Sequence, residues 1–170
     1  KIFSINGFSN SFTDIRTTEN STNDFLSVNE ANIGVNKANI NIERKIEYEV
    51  DLSNIDASSR ITLTLDNKSS KDNYKTYLRA HVPKGSVLES VKINNKEQKL
   101  VPAVTDFRTY ERKNFKAPDG LEVDTSIENE KLSFGFITEV PKNTSQIIDV
   151  YYNNGIKSFL NPLVNYNLWY

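Results

Sequence analysis

The chain contains no cysteine. Disulfide frameworks and thiolate metal sites are therefore excluded. With 170 residues it needs no such staples, because a domain of this size buries roughly 70% of the surface its unfolded chain exposes. There is a single histidine, His81, which rules out any site built on two imidazoles. Methionine is absent as well, and from this the chain is expected to be a piece excised from a longer protein. No stretch approaches the ~18 consecutive apolar residues of a membrane span, and no secretory leader is visible. Excess charge is missing too: 21 basic against 22 acidic residues leave a formal net charge of −1. So even a balance exerts no overall pull on nucleic acid or anionic lipid, and nucleic acid is not expected as a partner.

Hydrophobic residues make up 37% of the chain and charged residues 25%, a globular composition rather than a disordered one. Residues 1–27 are rich in Ser, Thr and Asn ("NGFSNSFTDIRTTENSTND") and are expected to form a polar lead-in or the edge of a preceding domain. Residues 28–170 are expected to form one domain.

From residue 40 a two-residue period sets in. Ile40, Ile42, Ile46, Tyr48, Val50 and Leu52 alternate with Asn41, Glu43, Lys45, Glu47, Glu49 and Asp51, with Arg44 as the exception. This predicts a long strand with one buried face. The same pattern returns in several places. Ile61, Leu63 and Leu65 form one run. Tyr74, Leu78, Ala80 and Val82 share a face opposite Tyr77, Arg79 and His81. Further runs are Val87, Val91 and Ile93; Leu100–Val101; 105–110; Leu121, Val123 and Ile127; and Leu132, Phe134, Phe136 and Val140. Ile148, Val150 and Tyr152 alternate with Ile147, Asp149 and Tyr151, so both faces there are expected to be covered. Between the runs stand "DNKSSKDN", Asn94-Asn95, "APDG", Asn129-Glu130 and "NNG", all turn formers. "VPKGSV" and "VPKNTSQ" repeat one device, a proline that ends a strand because it cannot donate to a ladder. Short strands punctuated in this way predict an all-β fold, an antiparallel β-sandwich of immunoglobulin/fibronectin-like type with about 8–10 strands.

The candidate sites each have a plain structural reading. "NIGVNKAN" (Asn32–Asn39) has one glycine, Ala after Lys37 and a strand to follow, so it lacks the spacing of a phosphate loop. Gly34 and Asn36 are instead expected to take unusual backbone angles at a corner. Carboxylates gather at Glu43, Glu47, Glu49 and Asp51, and again at Glu122, Asp124 and Glu128. They sit on the polar faces of predicted strands, without the pairing of a glycosidase or the loop spacing of a calcium site. His81 has no serine or acid tied to it by a motif. No catalytic, cofactor or metal residue is predicted. "FRTYERKNFK" (Phe107–Lys116) is the one local stretch mixing bases with aromatics. It is expected to run as a solvated edge strand carrying gatekeeper charges, and it supplies most of the predicted interaction face: Tyr77, Arg108, Tyr110, Arg112, Phe115 and Lys116. Tyr74, Tyr151, Tyr152, Trp169 and Tyr170 join these aromatics as candidates for a sugar-stacking platform, the other expectation being core and cross-strand pairs.

"FLSVNEANIGVNKANINIERKIEYEV", "YLRAHVPKGSVLESV", "FGFITEVPKNTSQIIDVYY" and the closing "YNLWY" together resemble the C-terminal extracellular β-domain of the bacterial family catalogued as domain of unknown function 4012. The resemblance covers residues 25–170. It implies a membrane-anchored parent protein at the bacterial cell surface, from which this piece, itself not membrane-embedded, is cut. It implies no catalytic residues. The expected role is a non-enzymatic adhesion, interaction or spacer module with a protein or cell-surface polymer partner. The alternative is a carbohydrate- or cell-wall-polymer-binding module working through exposed aromatics.

Overall fold

The computed structural model describes residues 21–53, 56–157 and 165–169. Its strands are β1 (Ser21–Phe25), β2 (Ser27–Asn32), β3 (Ile42–Asp51), β4 (Asp56–Asn67), β5 (Tyr74–Pro83), β6 (Val87–Ile93), β7 (Lys96–Glu97), β8 (Leu100–Pro102), β9 (Leu121–Glu128), β10 (Lys131–Val140), β11 (Thr144–Lys157) and β12 (Asn165–Trp169). Short 3₁₀ turns lie at Ala38–Asn41 and Phe107–Thr109. No α-helix occurs among the described residues, so none is long and apolar enough to cross a membrane.

The strands form two five-stranded sheets, ordered β2-β5-β10-β9-β8 and β3-β4-β11-β6-β7, plus a parallel pair β1-β12. The chain is all-β and its two large sheets are mostly antiparallel, the arrangement of a β-sandwich. The strands exceed the expected 8–10 partly because β7, two residues long, is too short to show a period in sequence, whereas β8 coincides with the Leu100–Val101 run. The β1-β12 pair adds two more. Part of the expected lead-in is structured. Residues 21–27 supply β1 and the start of β2, and Phe25 and Leu26 are buried. Residues 1–20 lie outside the described part.

The core follows from the period. In β4, Ile61, Leu63 and Leu65 turn inward. In β5 it is Tyr74, Leu78, Ala80 and Val82, in β10 Phe134, Phe136 and Val140, and in β11 Ile148, Val150 and Tyr152. Each fully buried side chain of this size contributes roughly 1.5–3 kcal/mol relative to exposure. Phe134 and Tyr152 meet edge-to-face between the sheets, with ring centroids 6.1 Å apart. The two proline turns do the same work. After Pro83 the chain leaves β5 in the first sheet for β6 in the second, and after Pro141 it leaves β10 for β11. Gly85 (φ 103°) and Asn143 (φ 54°) take the positive φ these turns need. Asn94-Asn95 and Asn129-Glu130, with φ between 49° and 62°, close two-residue hairpins.

Several expectations are corrected. Ile40 is not in β3 but in the preceding 3₁₀ turn, exposed, and Ile46 and Leu52 are exposed too. The cause is position: among the described residues β3 is an edge strand, paired on one side only. Val87 also faces solvent. Tyr151 pairs with Ser90 but Tyr152 with Leu88, so an extra residue at Glu89 bulges β6 and shifts the inward phase from Val87 to Leu88. Ile127 is exposed beyond the reach of the short β8, which pairs only with Leu121, Glu122 and Val123. On the outer face of β11, Asp149 is buried while Ile147 is exposed, so the cover there is partial. Residues 105–110 are not a strand, and 107–116 is not an edge strand. Both belong to the connection from β8 to β9. Because β8 and β9 are parallel neighbours, the chain must cross back along its own length between them, which requires a long connection.

Candidate functional site

The outer face of the first sheet and the 103–120 connection carry the predicted interaction residues. Strand β9 organises them. Its outward positions Glu122, Asp124 and Glu128 form a carboxylate row, since alternate side chains share a face, and each takes a donor from outside β9, either the connection or β5. The Tyr110 hydroxyl, on the connection, donates to Glu122 Oε2 at 2.6 Å, and the Val104 N–H donates to the same oxygen at 3.0 Å. The Tyr77 hydroxyl, on β5, donates to Asp124 Oδ2 at 3.1 Å. Arg79 Nη1, also on β5, lies 2.7 Å from Glu128 Oε1.

Tyr77 reaches Asp124 across the intervening strand β10, and it can do so because residue 135 there is glycine. A Cβ at Gly135 would stand 2.1 Å from the Tyr77 hydroxyl oxygen. The tyrosine thus fills the gap left by the missing side chain, as aromatics do over sheet glycines. Burial raises the Tyr77 hydroxyl pKa, with the Asp124 bond adding to the shift. For Tyr110 the bond to Glu122 is the main cause of the rise.

Tyr77 and Tyr110 therefore reach one face through adjacent outward positions of β9. Tyr110 also packs edge-to-face on Phe115, with centroids 4.9 Å apart, yet keeps 48% of its surface exposed. Arg108 is turned to its own loop: its guanidinium grips Asp106 with two bonds of 2.9 Å, which holds that carboxyl below the usual range. Arg112, Lys113 and Lys116 are exposed along the rest of the connection. The structure thus brings together Tyr77, Tyr110 and Phe115. Arg108, Arg112 and Lys116 share the loop as separate surface charges. The side chains of Trp169 and Tyr170 lie outside the described residues.

His81 closes the β5 row and is buried. Burial and the neighbouring Arg79 hold its pKa below the usual histidine value, with Glu128 opposing. Its rung partners are Ser133 and Ser27. Ser133 Oγ is buried without a hydrogen-bond partner, so no nucleophile–base contact joins it to His81. Among the described residues no group of three or more His, Asp or Glu is arranged to hold a metal ion.

The "NIGVNKAN" stretch is a corner braced by asparagines. Asn32 Nδ2 donates to the Asn36 carbonyl at 2.7 Å, the Gly34 N–H donates to Asn32 Oδ1 at 3.0 Å, and Asn36 Nδ2 donates to the Asn73 carbonyl at 3.0 Å. The left-handed residue is Val35 (φ 54°), not Gly34 or Asn36. For a β-branched residue this is an outlier costing on the order of 1–3 kcal/mol, and the Val35 side chain stands 100% exposed. The Asn32 side chain binds the backbone on either side of Val35, at Gly34 and Asn36, and the Asn36 side chain ties the corner to Asn73 and Ala38.

Sequence reasoning missed a second polar cluster, inside the sandwich. Asp24, Ser59, Tyr152 and Asn154 are buried. The Tyr48 hydroxyl donates to Asp24 Oδ2, the Tyr152 hydroxyl to Tyr48 at 3.0 Å, and Asn154 Nδ2 to Ser59 Oγ at 3.1 Å. Burial, with Asp24 adding to it, pushes the Tyr48 pKa up to about 12, so it stays a donor at every physiological pH. The available signal was Tyr48 and Tyr152 at inward positions, where a buried hydroxyl demands a partner.

No family model, curated protein or solved structure matches this chain.

Proposed function

We propose that this chain is a non-catalytic β-sandwich module, immunoglobulin/fibronectin-like in type, on the outside of a membrane-anchored bacterial surface protein. Its task is interaction or adhesion, and the surface it offers a protein partner is the 103–120 connection with the adjoining Tyr77. One observation carries the reading. The carboxylates best placed for chemistry already hold donors from their own chain: Tyr110 and Val104 on Glu122, Tyr77 on Asp124, Arg79 on Glu128. At Glu122 both oxygens are taken, Oε1 and Oε2 by Tyr110 and Oε2 also by Val104, which leaves none for a substrate, while Tyr77 on Asp124 and Arg79 on Glu128 tie the same row to β5 and fix the shape of the face. The connection displays the Tyr110–Phe115 pair among exposed Arg108, Arg112, Lys113 and Lys116, and aromatics with arginine are the residues that anchor interfaces.

The test is binding of the labelled chain to bacterial cells. Expected is saturable binding that is lost after protease treatment of the cells and in Y110A/F115A. Binding that survives protease and disappears with purified cell-wall polymer as competitor would favour the second reading, a polymer-binding module. The half-exposed Tyr110 ring supports that alternative. Hydrolysis of peptidoglycan or glycan, abolished by Glu122→Gln or Glu47→Gln, would overturn both.

A further inference from the structure

Among the described residues each five-stranded sheet has two outer strands, and β3 is the longest of the four. Strand β7 has two residues, β8 has three and ends on Pro102, and β2 has six. Shortness and proline are standard protections against edge-to-edge pairing. Strand β3 has neither. It runs ten residues in unbroken register against β4.

The backbone of β3 shows which groups face outward. One rung before the Ile42–Asn67 pair, the Lys68 N–H donates to the Asn41 carbonyl at 2.9 Å. Antiparallel ladders alternate, so Asn41 and the odd positions turn their N–H and C=O toward β4. Ile42, Arg44, Ile46, Tyr48 and Val50 turn theirs to the open side. Arg44 confirms this: its Nη1 caps the Ile42 carbonyl at 2.8 Å. Arg44 is also the one inward-phase charge on the strand, a usual deterrent to pairing, but Glu30 already neutralises it at 2.8 Å.

We infer that β3 is a dimerisation strand, to which a second copy of the chain adds its own β3 antiparallel with Ile46 opposite the partner's Ile46. This register matches donors to acceptors, because the even positions pair only with even positions: Arg44 with the partner's Tyr48 and Ile42 with the partner's Val50, the last rung requiring Arg44 Nη1 to release the Ile42 carbonyl. It covers Ile46, which is otherwise half exposed. On the outer face it sets Lys45 against the partner's Glu47 twice, extending the ion pair that Lys45 makes with Glu47 of its own chain at 2.9 Å into an alternating cluster. The neighbouring registers set Glu47 against the partner's Glu47, or Lys45 against the partner's Lys45. The unfavourable contact, also made twice, is Glu43 with the partner's Glu49. Each of these already has a cation of its own chain, Lys68 at 3.6 Å from Glu43 and Arg60 at 3.5 Å from Glu49.

Sedimentation analysis of the 170-residue chain from micromolar to millimolar concentration tests this. Expected is a reversible dimer. Ile46→Pro removes an outward N–H without touching the β4 ladder, so a folded monomer is expected. K45E and E47K each place like charges together and raise the dimer dissociation constant about tenfold. The double exchange K45E/E47K restores it, and E43K tightens it. If I46P does not fold, the charge exchanges decide. A chain that stays monomeric throughout, or a dimer indifferent to the exchanges, would overturn the inference. So would a monomer that takes up an alternating Lys/Val peptide and loses it on E43K, since the edge would then serve a foreign basic strand.

Discussion

Ile46 and Leu63 are rung partners on adjacent strands, both in the inward phase, yet one is 48% exposed and the other 1%. Among the described residues strand β4 has β3 on one side and β11 on the other, while β3 pairs with β4 alone. Alternation decides which way a side chain points. The number of neighbouring strands decides how much water is removed from it. Hydrophobic stabilisation scales with the second quantity, so two residues that read alike in sequence differ in weight.

The sharpest test of the contrast is truncation at both ends of that rung. Leu63→Ala is expected to cost about 2–5 kcal/mol in chemical denaturation, whereas Ile46→Ala, measured at a concentration that keeps the chain monomeric, is expected to cost under about 1 kcal/mol. Equal losses would mean that β3 is covered in solution by something else.

The next largest effect is expected at Tyr48, which belongs to the same exposed strand but points its hydroxyl into the buried Asp24 cluster. Tyr48→Phe removes the donor to Asp24 and the acceptor for Tyr152, at an expected cost of about 1–3 kcal/mol. On an edge strand, polar contacts at Tyr48 thus outweigh apolar burial at Ile46. A loss no greater than that of Ile46→Ala would break this ranking.

Gly135→Ala is expected to cost about 1 kcal/mol, because the new Cβ displaces the Tyr77 ring and with it the bond to Asp124. In a Tyr77→Ala background the same change should be neutral or favourable, since the space is then free and alanine suits a strand interior better than glycine. An unchanged penalty in the double mutant would mean that the backbone, not Tyr77, requires the glycine.

The smallest effect concerns pH. Burial and Arg79 depress the His81 pKa, with Glu128 opposing, so below about pH 6.5 the unfolded chain takes up a proton that the folded chain resists. The stability from keeping His81 neutral is therefore complete above that pH and lost as pH falls toward the folded pKa. Thermal melts between pH 7 and pH 5.5 should show a shallow decline that His81→Gln flattens.

Much of the fold was legible from the residues. The apolar inward positions named from period two in β4, β5, β10 and β11 are all buried except Leu132, which is half-buried, because these strands have neighbours on both sides. The turn residues at Pro83, Asn94-Asn95, Asn129-Glu130 and Pro141 marked the strand ends. The errors cluster where neighbours are missing or the period slips: Ile40 and Ile46 near an edge, Ile127 beyond the end of β8, and Val87 at a bulge. The candidate face was half legible. Its aromatic and basic stretch was visible, but the route from Tyr77 to Asp124 depends on a glycine in a strand between them, and no local pattern encodes that.

The order of residues alone determined that this chain forms sheets, where they turn, and which side of each strand is greasy, since these follow from backbone geometry and the nearest few side chains. Tertiary structure decided which strand lies outermost, which hydroxyl meets which carboxylate, and which valine is held in a left-handed bend. Those outcomes depend on groups far apart along the chain, and only the closed fold brings them within bonding distance.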